Sequence, residues 1–361
     1  MTVAVLGTGL IGGSIGLALT KAGLTVHGFD AQPVVAERAC EMGAIESVAS
    51  SVAEAVAGAD VVIVAVPVGR VAELVIAALD AGAVAVTDVG SVKAAVLDAV
   101  KAARPDQAGR FVGGHPMAGS EQDGLDGADA DLFAGATWVL TPTADTDPDA
   151  HTAVRGVIGR LGAEVVEIPP KEHDALVAVV SHVPQLAATT LMNVATTSGD
   201  EHALLMRLAA GGFRDMTRIA AGHPGIWPDI CVANRVAILD ALDAYRASLD
   251  SVRAWVDAGD GGALLEALER GRRARRNLPS VARVRGPLAE LRVPVPDRPA
   301  VLAEVTTMAG RLGVNIVDIE IAHSIEGDGG VLVLVVPVDG ADAFDTALTD
   351  AGYHVSRSDM T

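Results

Sequence analysis

From residue 2 to about 168, short runs of Val, Ile and Ala alternate with segments of helical periodicity. Runs such as VVIVAV at 61–66 are apolar at every position rather than every second one. That is the pattern of a parallel strand covered by helices on both faces. Strands are expected at 2–6, 25–30, 61–67, 83–88, 110–113, 137–141 and 164–168, with helices at 33–42, 69–79 and 92–103 among the segments between them. This alternation predicts an α/β domain over 1–168 built on a doubly wound parallel sheet.

From 169 to 281 the strand signal stops, and long Ala-, Leu- and Arg-rich stretches broken by Gly and Pro predict an all-helical domain. Its apolar faces exceed what one copy would bury, so a homodimer is expected. Residues 282–288 are a short linker. The segment 289–361 has the order strand (289–295), helix (299–312), strand (315–324), strand (330–337), helix (341–351), strand (353–358), with IEGDGG at 325–330 as a hairpin turn. The βαββαβ order is ferredoxin-like.

Charge narrows the partners. Over 361 residues the formal net charge is −19, which disfavours nucleic acid and anionic membranes as partners. An anionic substrate would then need a local cation. The dense basic run Arg270, Arg272, Arg273, Arg275 and Arg276 is read as a solvated helix end or an interface rim. Cys40 and Cys231 are the two cysteines, too few for a disulfide framework, and they fit a reducing, cytoplasmic setting. The first twenty residues are apolar, but Lys21 follows the run instead of preceding it, unlike a secretion signal. No membrane span is expected.

GTGLIG, with Gly7, Gly9 and Gly12, comes directly after the first strand and opens a helix, the context in which this spacing marks a Rossmann dinucleotide site. Gly7 allows the tight turn, Gly9 lets backbone approach a pyrophosphate, and Gly12 lets helix pack on strand. Leu10 and Ile11 in the turn, and Val66 and Pro67 at the end of the third expected strand, complete the expected cofactor wall. Asp30 ends the second strand, where a carboxylate accepts from ribose hydroxyls and repels a 2′-phosphate, so NAD is favoured over NADP.

DVGSVK at 88–93 and GGHPMAGSE at 113–121 follow at strand ends, where open α/β sheets bind ligands. A His between Gly and Pro is poor core material, which makes His115 a catalytic candidate. Ser91 is read as its partner or as a helix N-cap. Lys93 is read as cofactor-side or structural. No cluster has metal-ligand spacing.

GTGLIGGS, DVGSVK, GGHPMAGSE, SHVPQ and GGFRDMTRIA occur in the order seen in prephenate and arogenate dehydrogenases, and DRPAVLAEV with NI (315–316) resembles an ACT domain. The resemblance spans essentially the whole chain. It implies an NAD-dependent oxidative decarboxylation of prephenate to 4-hydroxyphenylpyruvate in tyrosine biosynthesis, with arogenate as the alternative substrate. It implies that His115 takes the ring hydroxyl proton as hydride leaves C4, a role suited to an imidazole. Ser91 would orient it, and Ser120 would bond a substrate carboxylate. Arg218 would grip the carboxylate through its guanidinium fork, with Arg214 as backup. His182 would line the substrate pocket. Many prephenate-specific relatives carry His where this chain has Gln185, so the substrate side chain is read differently here. Trp227, Asp229 and Asn234 match a further segment and are read as helical packing and dimer contacts. In the ACT-like unit, Asp297 and Asn315 mark where tyrosine would bind as a feedback effector; the alternative is a dimerisation unit without ligand. Two rivals are weaker: a β-hydroxyacid dehydrogenase, which needs a Lys in the helical domain that this chain lacks after Lys171, and an NAD-sensing ACT regulator without turnover.

Overall fold

The computed structural model describes residues 1–118, 124–196, 209, 211–277, 287–296, 298–323 and 329–360. They form two compact units, Met1–Met192 with Ile219–Asp250, and Asn193–Arg218 with Ser251–Thr361.

The first unit is built on eight strands: β1 (Thr2–Leu6), β2 (Thr25–Phe29), β3 (Ser47–Val48), β4 (Val61–Val64), β5 (Val86–Asp88), β6 (Phe111–Pro116), β7 (Thr137–Thr141) and β8 (Glu164–Glu167). Their order across the sheet is β3-β2-β1-β4-β5-β6-β7-β8. The run from β3 to β6 is parallel. β7 reverses, pairing antiparallel with β6 and parallel with β8, so the expectation of a uniformly parallel sheet is corrected at this edge. β3 was not anticipated; its two residues are both exposed.

Apolarity at every position has the expected cause. Val3, Val5, Val61 and Ile63 pack into one layer with Ile15 and Leu19 from the helix Leu10–Lys21. Ala4, Leu6, Val62 and Val64 pack into the opposite layer with Val71, Val75 and Leu79 from the helix Val68–Asp80. Each Val, Leu or Ile buried this way contributes ~1.5–3 kcal/mol, so the strands hold themselves between the helix layers and leave their carboxyl ends free for polar residues.

Beyond β8 the chain turns helical: Pro170–Val177, a π-helical turn Ala178–His182, then Val183–Thr196. By length and apolarity alone the run Pro170–Thr196 would pass for a membrane span, with a mean hydropathy of 1.5 over its best window. It nevertheless buries the polar residues His173, Asp174, His182 and Gln185, as a helix packed into a protein core does. Trp227–Ala233 and the start of Arg235–Ala258 complete this unit.

The second unit contains the helices Gly211–Thr217 and Gly261–Arg276 and a four-stranded antiparallel sheet. Its strands are β9 (Leu288–Pro296), β10 (Asp318–His323), β11 (Gly329–Pro337) and β12 (Ser356–Met360), in the order β10-β11-β9-β12. The helices Val301–Leu312 and Val338–Asp350 lie in the chain between β9 and β10 and between β11 and β12, and Val305, Phe344 and Leu348 pack on Leu291, Val293 and Leu334. Most of the expected 325–330 turn and of the 282–288 linker lies outside the described residues.

Candidate active site

The glycine turn meets its steric demands at separate positions. Gly7 has φ +95°, and a Cβ there would lie 2.3 Å from the Ala65 carbonyl oxygen and 2.7 Å from the Val66 side chain. A Cβ on Gly12 would lie 1.8 Å from the Gly7 carbonyl oxygen, whereas one on Gly9 would meet nothing within 4 Å. Gly7 and Gly12 are therefore needed by the protein's own packing, and Gly9 leaves open space at a helix N-terminus, where backbone N–H groups and the helix dipole favour an anion. Leu10 and Ile11 open that helix, half-buried. Val66 is half-buried and Pro67 exposed just after β4.

Asp30 follows β2 and reaches back to the turn. Its carboxylate accepts from the Thr8 N–H at 2.8 Å and from the Gln32 N–H at 2.9 Å. Carboxylate oxygens retain lone pairs for further donors. A cavity of about 440 Å³ opens here, lined in part by Gly9, Asp30, Gln32, Arg38 and Asp126. Open backbone at Gly9, a helix N-terminus and a fixed carboxylate fit the pyrophosphate and ribose of a dinucleotide. Arg38, which no sequence motif marks, also lines this cavity and bonds Glu41 at 3.1 Å.

The second cluster begins at the ends of β5 and β6. β1, β4, β5 and β6 run parallel, so Asp88, His115 and the glycine turn share the carboxyl edge of the sheet. The sequence suggested that β6 stops at 113, but it continues through Gly114 and His115 to Pro116, with His115 opposite Val139 of β7. The two glycines serve packing within the strand: a Cβ on Gly113 would lie 2.6 Å from Thr141 Oγ1, and one on Gly114 would lie 2.6 Å from the Asp88 carbonyl oxygen.

Lys93 and Asp88 form an ion pair with both side chains fully buried. The Lys93 ammonium also donates to the Gly114 carbonyl at 2.7 Å, and Asp88 accepts from the N–H groups of Gly114 (3.0 Å) and Gly90 (2.9 Å). The pair thus ties the end of β5 to the strand that carries His115. Ser91, half-buried, does not cap the following helix, Ala94–Ala103. That cap comes from Asp174, whose carboxylate accepts from the Lys93 N–H at 2.8 Å and the Ala94 N–H at 2.9 Å.

Asp174 also accepts from His173 Nδ1 at 2.8 Å, and His173 Nε2 lies 2.9 Å from His115 Nδ1. On its main-chain side, the Asp174 carbonyl accepts from the Asn234 amide at 2.9 Å, and the same amide nitrogen lies 3.2 Å from His182 Nδ1. A carbonyl can only accept, so the amide NH₂ faces both groups and donates its second proton to His182. His182 then carries its own proton on Nε2, which is buried without a partner among the described residues. Trp227 meets the His182 ring edge-on at 6.0 Å. Gln185 is buried on the helix that follows the π turn.

Burial pushes the His115 imidazole well below its ordinary value of 6.5, and Lys93, His173 and His182 push the same way. Burial takes His182 down to about 4 against the pull of the Asp174 carboxylate. Both rings are therefore neutral at neutral pH. A buried neutral imidazole can accept a proton or orient a ligand without bringing its own charge.

Other expected positions fall elsewhere. Arg218 starts a 3₁₀ turn, Arg218–Ala221, and closes the Asn193–Arg218 segment of the second unit; it is exposed. Arg214 is exposed on the preceding helix and donates to the Ala209 carbonyl at 3.3 Å. Ser120 and Asp297 lie outside the described residues. Asn315 is exposed between the helix Val301–Leu312 and β10. In the same unit a cavity of about 700 Å³ is lined by Arg298, Ala300, Glu304, Met308 and Tyr353 among others, and not by Asn315. There Glu304 accepts from both terminal nitrogens of Arg298, at 2.9 and 2.7 Å, and from the Tyr353 hydroxyl at 2.8 Å. Among the described residues no group of three or more His, Cys, Asp or Glu is placed to hold a metal.

His173, Asp174 and the bridging part of Asn234 escaped sequence reasoning. KEHD reads as a polar helix start, and nothing in its spacing tells that His173 and Asp174 turn inward.

Two family models match, "Prephenate dehydrogenase, nucleotide-binding domain" over residues 15–167 and "Prephenate dehydrogenase, dimerization domain" over 169–270. The chain is 35% identical to a prephenate dehydrogenase of Bacillus subtilis over 339 residues, 92% of this chain and 91% of that enzyme. It is 34% identical to a cyclohexadienyl dehydrogenase of Zymomonas mobilis, over 76% of this chain and 94% of that one. Among solved structures, a prephenate dehydrogenase from A. aeolicus in complex with hydroxyphenyl propionate and NAD+ superposes with a TM-score of 0.72 at 29% identity, covering 77% of this chain and 98% of that one. A Synechocystis arogenate dehydrogenase superposes with a TM-score of 0.67 at 30% identity, covering 76% and 99%.

Proposed function

The chain belongs to the prephenate dehydrogenase family, and from that premise we propose that it oxidises prephenate with NAD, releasing carbon dioxide and 4-hydroxyphenylpyruvate on the way to tyrosine. The observation that carries this reading is the neutral imidazole of His115 on the carboxyl edge of the sheet that also bears the glycine turn. NAD, when bound, supplies the two-electron oxidant. The turn Gly7–Gly9–Gly12, with Leu10, Ile11, Val66 and Pro67, holds the dinucleotide, and Asp30 accepts from its ribose hydroxyls. His115 takes the proton from the ring hydroxyl, and Ser91 shares that hydroxyl. The His182 Nε2–H, buried and without a protein partner among the described residues, donates to an oxygen of the substrate. Gln185 contributes to reading the substrate side chain. Arg218, with Ser120, supplies the counter-charge that a dianion needs on a protein of net charge −19.

Domains of 1–168 for cofactor, 169–281 for substrate and dimerisation, and 289–361 for regulation, joined by 282–288, follow from this reading. The order β10-β11-β9-β12 with two intervening helices supports a ferredoxin-like ACT unit. Tyrosine is its expected effector, with Asp297 and Asn315 in the binding loops. A homodimer is supported by exposed apolar side chains on the long helices, including Val236, Leu249, Val256, Leu265 and Leu268, and a cytoplasmic setting by the free cysteines Cys40 and Cys231. Arogenate is a second reading, favoured by the neutral amide of Gln185, which can serve a keto acid or an amino acid. Incubating the protein with NAD and prephenate, then with NAD and arogenate, and following NADH absorbance tests both. Formation of NADH with neither substrate would refute the assignment.

A further inference from the structure

We propose that Asp174 and His173 are positioning residues that hold the His115 imidazole in a single tautomer, with its proton on Nδ1 and its lone pair on Nε2, where the substrate proton arrives. The proposal rests on the reading of His115 as the base. Asp174 Oδ1 lies 2.8 Å from His173 Nδ1. A carboxylate only accepts, so a neutral His173 carries its proton on Nδ1 and has a bare Nε2. The group facing that bare nitrogen is His115 Nδ1 at 2.9 Å, with the two rings edge to face at 78°. His115 Nδ1 must then be the donor, and Nε2 is its basic atom. The Asp174 carboxylate cannot swing away, because the Lys93 N–H and the Ala94 N–H hold its two oxygens separately. Orienting a base through its second nitrogen is a general device in proton transfer.

The same contacts set the response to protonation. The groups acting on His115 are Lys93 from the loop after β5, His173 from the helix Pro170–Val177 and His182 from the π turn, with Asp88 paired to Lys93. Lys93 opposes a charge on His115. His173 and His182 oppose it as well. Removing the His173 acceptor frees the His115 Nδ1 proton to move to Nε2, which takes away the lone pair that receives the substrate proton.

His173→Leu removes the acceptor, while His173→Gln restores one through its side-chain carbonyl and can still donate to Asp174. In the full-length chain, His173→Leu is expected to lower kcat ~10²-fold with substrate KM changed less than about twofold. His173→Gln is expected to recover most of the loss. Nitrogen-15 NMR of histidine-labelled, substrate-free protein is expected to show His115 protonated on Nδ1 in the wild type and as a mixture of tautomers in His173→Leu. A wild-type His115 protonated on Nε2 would overturn the proposal. So would a folded His173→Leu with unchanged kcat, or a His173→Gln no better than His173→Leu. If His173→Leu does not fold, the wild-type spectrum and His173→Gln still decide. A wild type protonated on Nδ1 that oxidises neither prephenate nor arogenate would leave the relay standing and remove the functional reading instead.

Discussion

Replacing Lys93 with Met should cost the protein a large part of its stability, and the reason lies in what Lys93 leaves behind. Lys93 and Asp88 are each fully shielded from water. With Lys93→Met the Asp88 carboxylate keeps the Gly90 and Gly114 N–H donors but loses its counter-ion. Breaking a buried pair from one side typically costs ~3–5 kcal/mol, because an uncompensated charge remains in the interior. Against a typical total of about 5–15 kcal/mol, that is a large share. With a urea m-value of roughly 3 kcal/mol/M, the midpoint should fall by ~1–1.7 M. In the double variant Lys93→Met with Asp88→Asn no charge is stranded, and Asn can still accept from Gly114. The double variant should recover ~2 kcal/mol over Lys93→Met, a coupling well above the noise of additive sites. Urea titration followed by tryptophan fluorescence, with Trp138 fully buried in this unit, measures all four corners of the cycle. A Lys93→Met penalty below ~1 kcal/mol, or a double variant whose loss equals the sum of the two singles, would refute the reasoning.

His115→Asn is expected to lower kcat by ~10²–10⁴-fold while leaving the dissociation constant for NAD unchanged, checked by steady-state kinetics and by fluorescence titration of the cofactor. Gly9→Ala, whose new methyl meets no protein atom within 4 Å, should keep the melting temperature and weaken NAD binding, while Gly12→Ala, with its Cβ 1.8 Å from the Gly7 carbonyl oxygen, should lose both. Stability should decline as pH falls below 6.5, since the unfolded chain binds protons that the folded His115 and His182 refuse, until His182 titrates at about 4. Allowing for partial solvent screening, His182 alone accounts for about 2 kcal/mol of that decline. His182→Gln should flatten it in urea titrations run at pH 7, 6, 5 and 4.

How far the sequence could be read depended on whether the signal was local. Strands apolar at every position announced their two-sided burial, and the structure puts Val3, Val5 and Ala4, Leu6 into opposite layers as that pattern requires. Direction left no such trace: nothing in TWVLT distinguishes the reversed β7 from its parallel neighbours. GGHP looked like the end of a strand because glycines usually break strands, yet here they admit Thr141 and the Asp88 carbonyl at close range. His115 and the glycine turn were legible because their neighbours in the chain are diagnostic. Asp174 was not, because its partners Lys93 and Ala94 lie some eighty positions away and meet it only after folding. The cap weighed for Ser91 belongs to that distant carboxylate for the same reason.

The widened turn Ala178–His182 has a consequence for His173 before it and His182 at its end. At 3.6 residues per turn, positions nine apart are about two and a half turns apart and point in opposite directions. His173 and His182 are nine apart, yet both are buried and both act on His115. The extra residue absorbed by the π geometry works as a phase shifter, rotating the downstream half of the rod so that two rings that regular winding would set back to back can serve one chamber. Rewinding this stretch as a regular helix with every residue kept would leave the composition of the chamber untouched and dismantle it all the same, by turning one of its walls to face the other way.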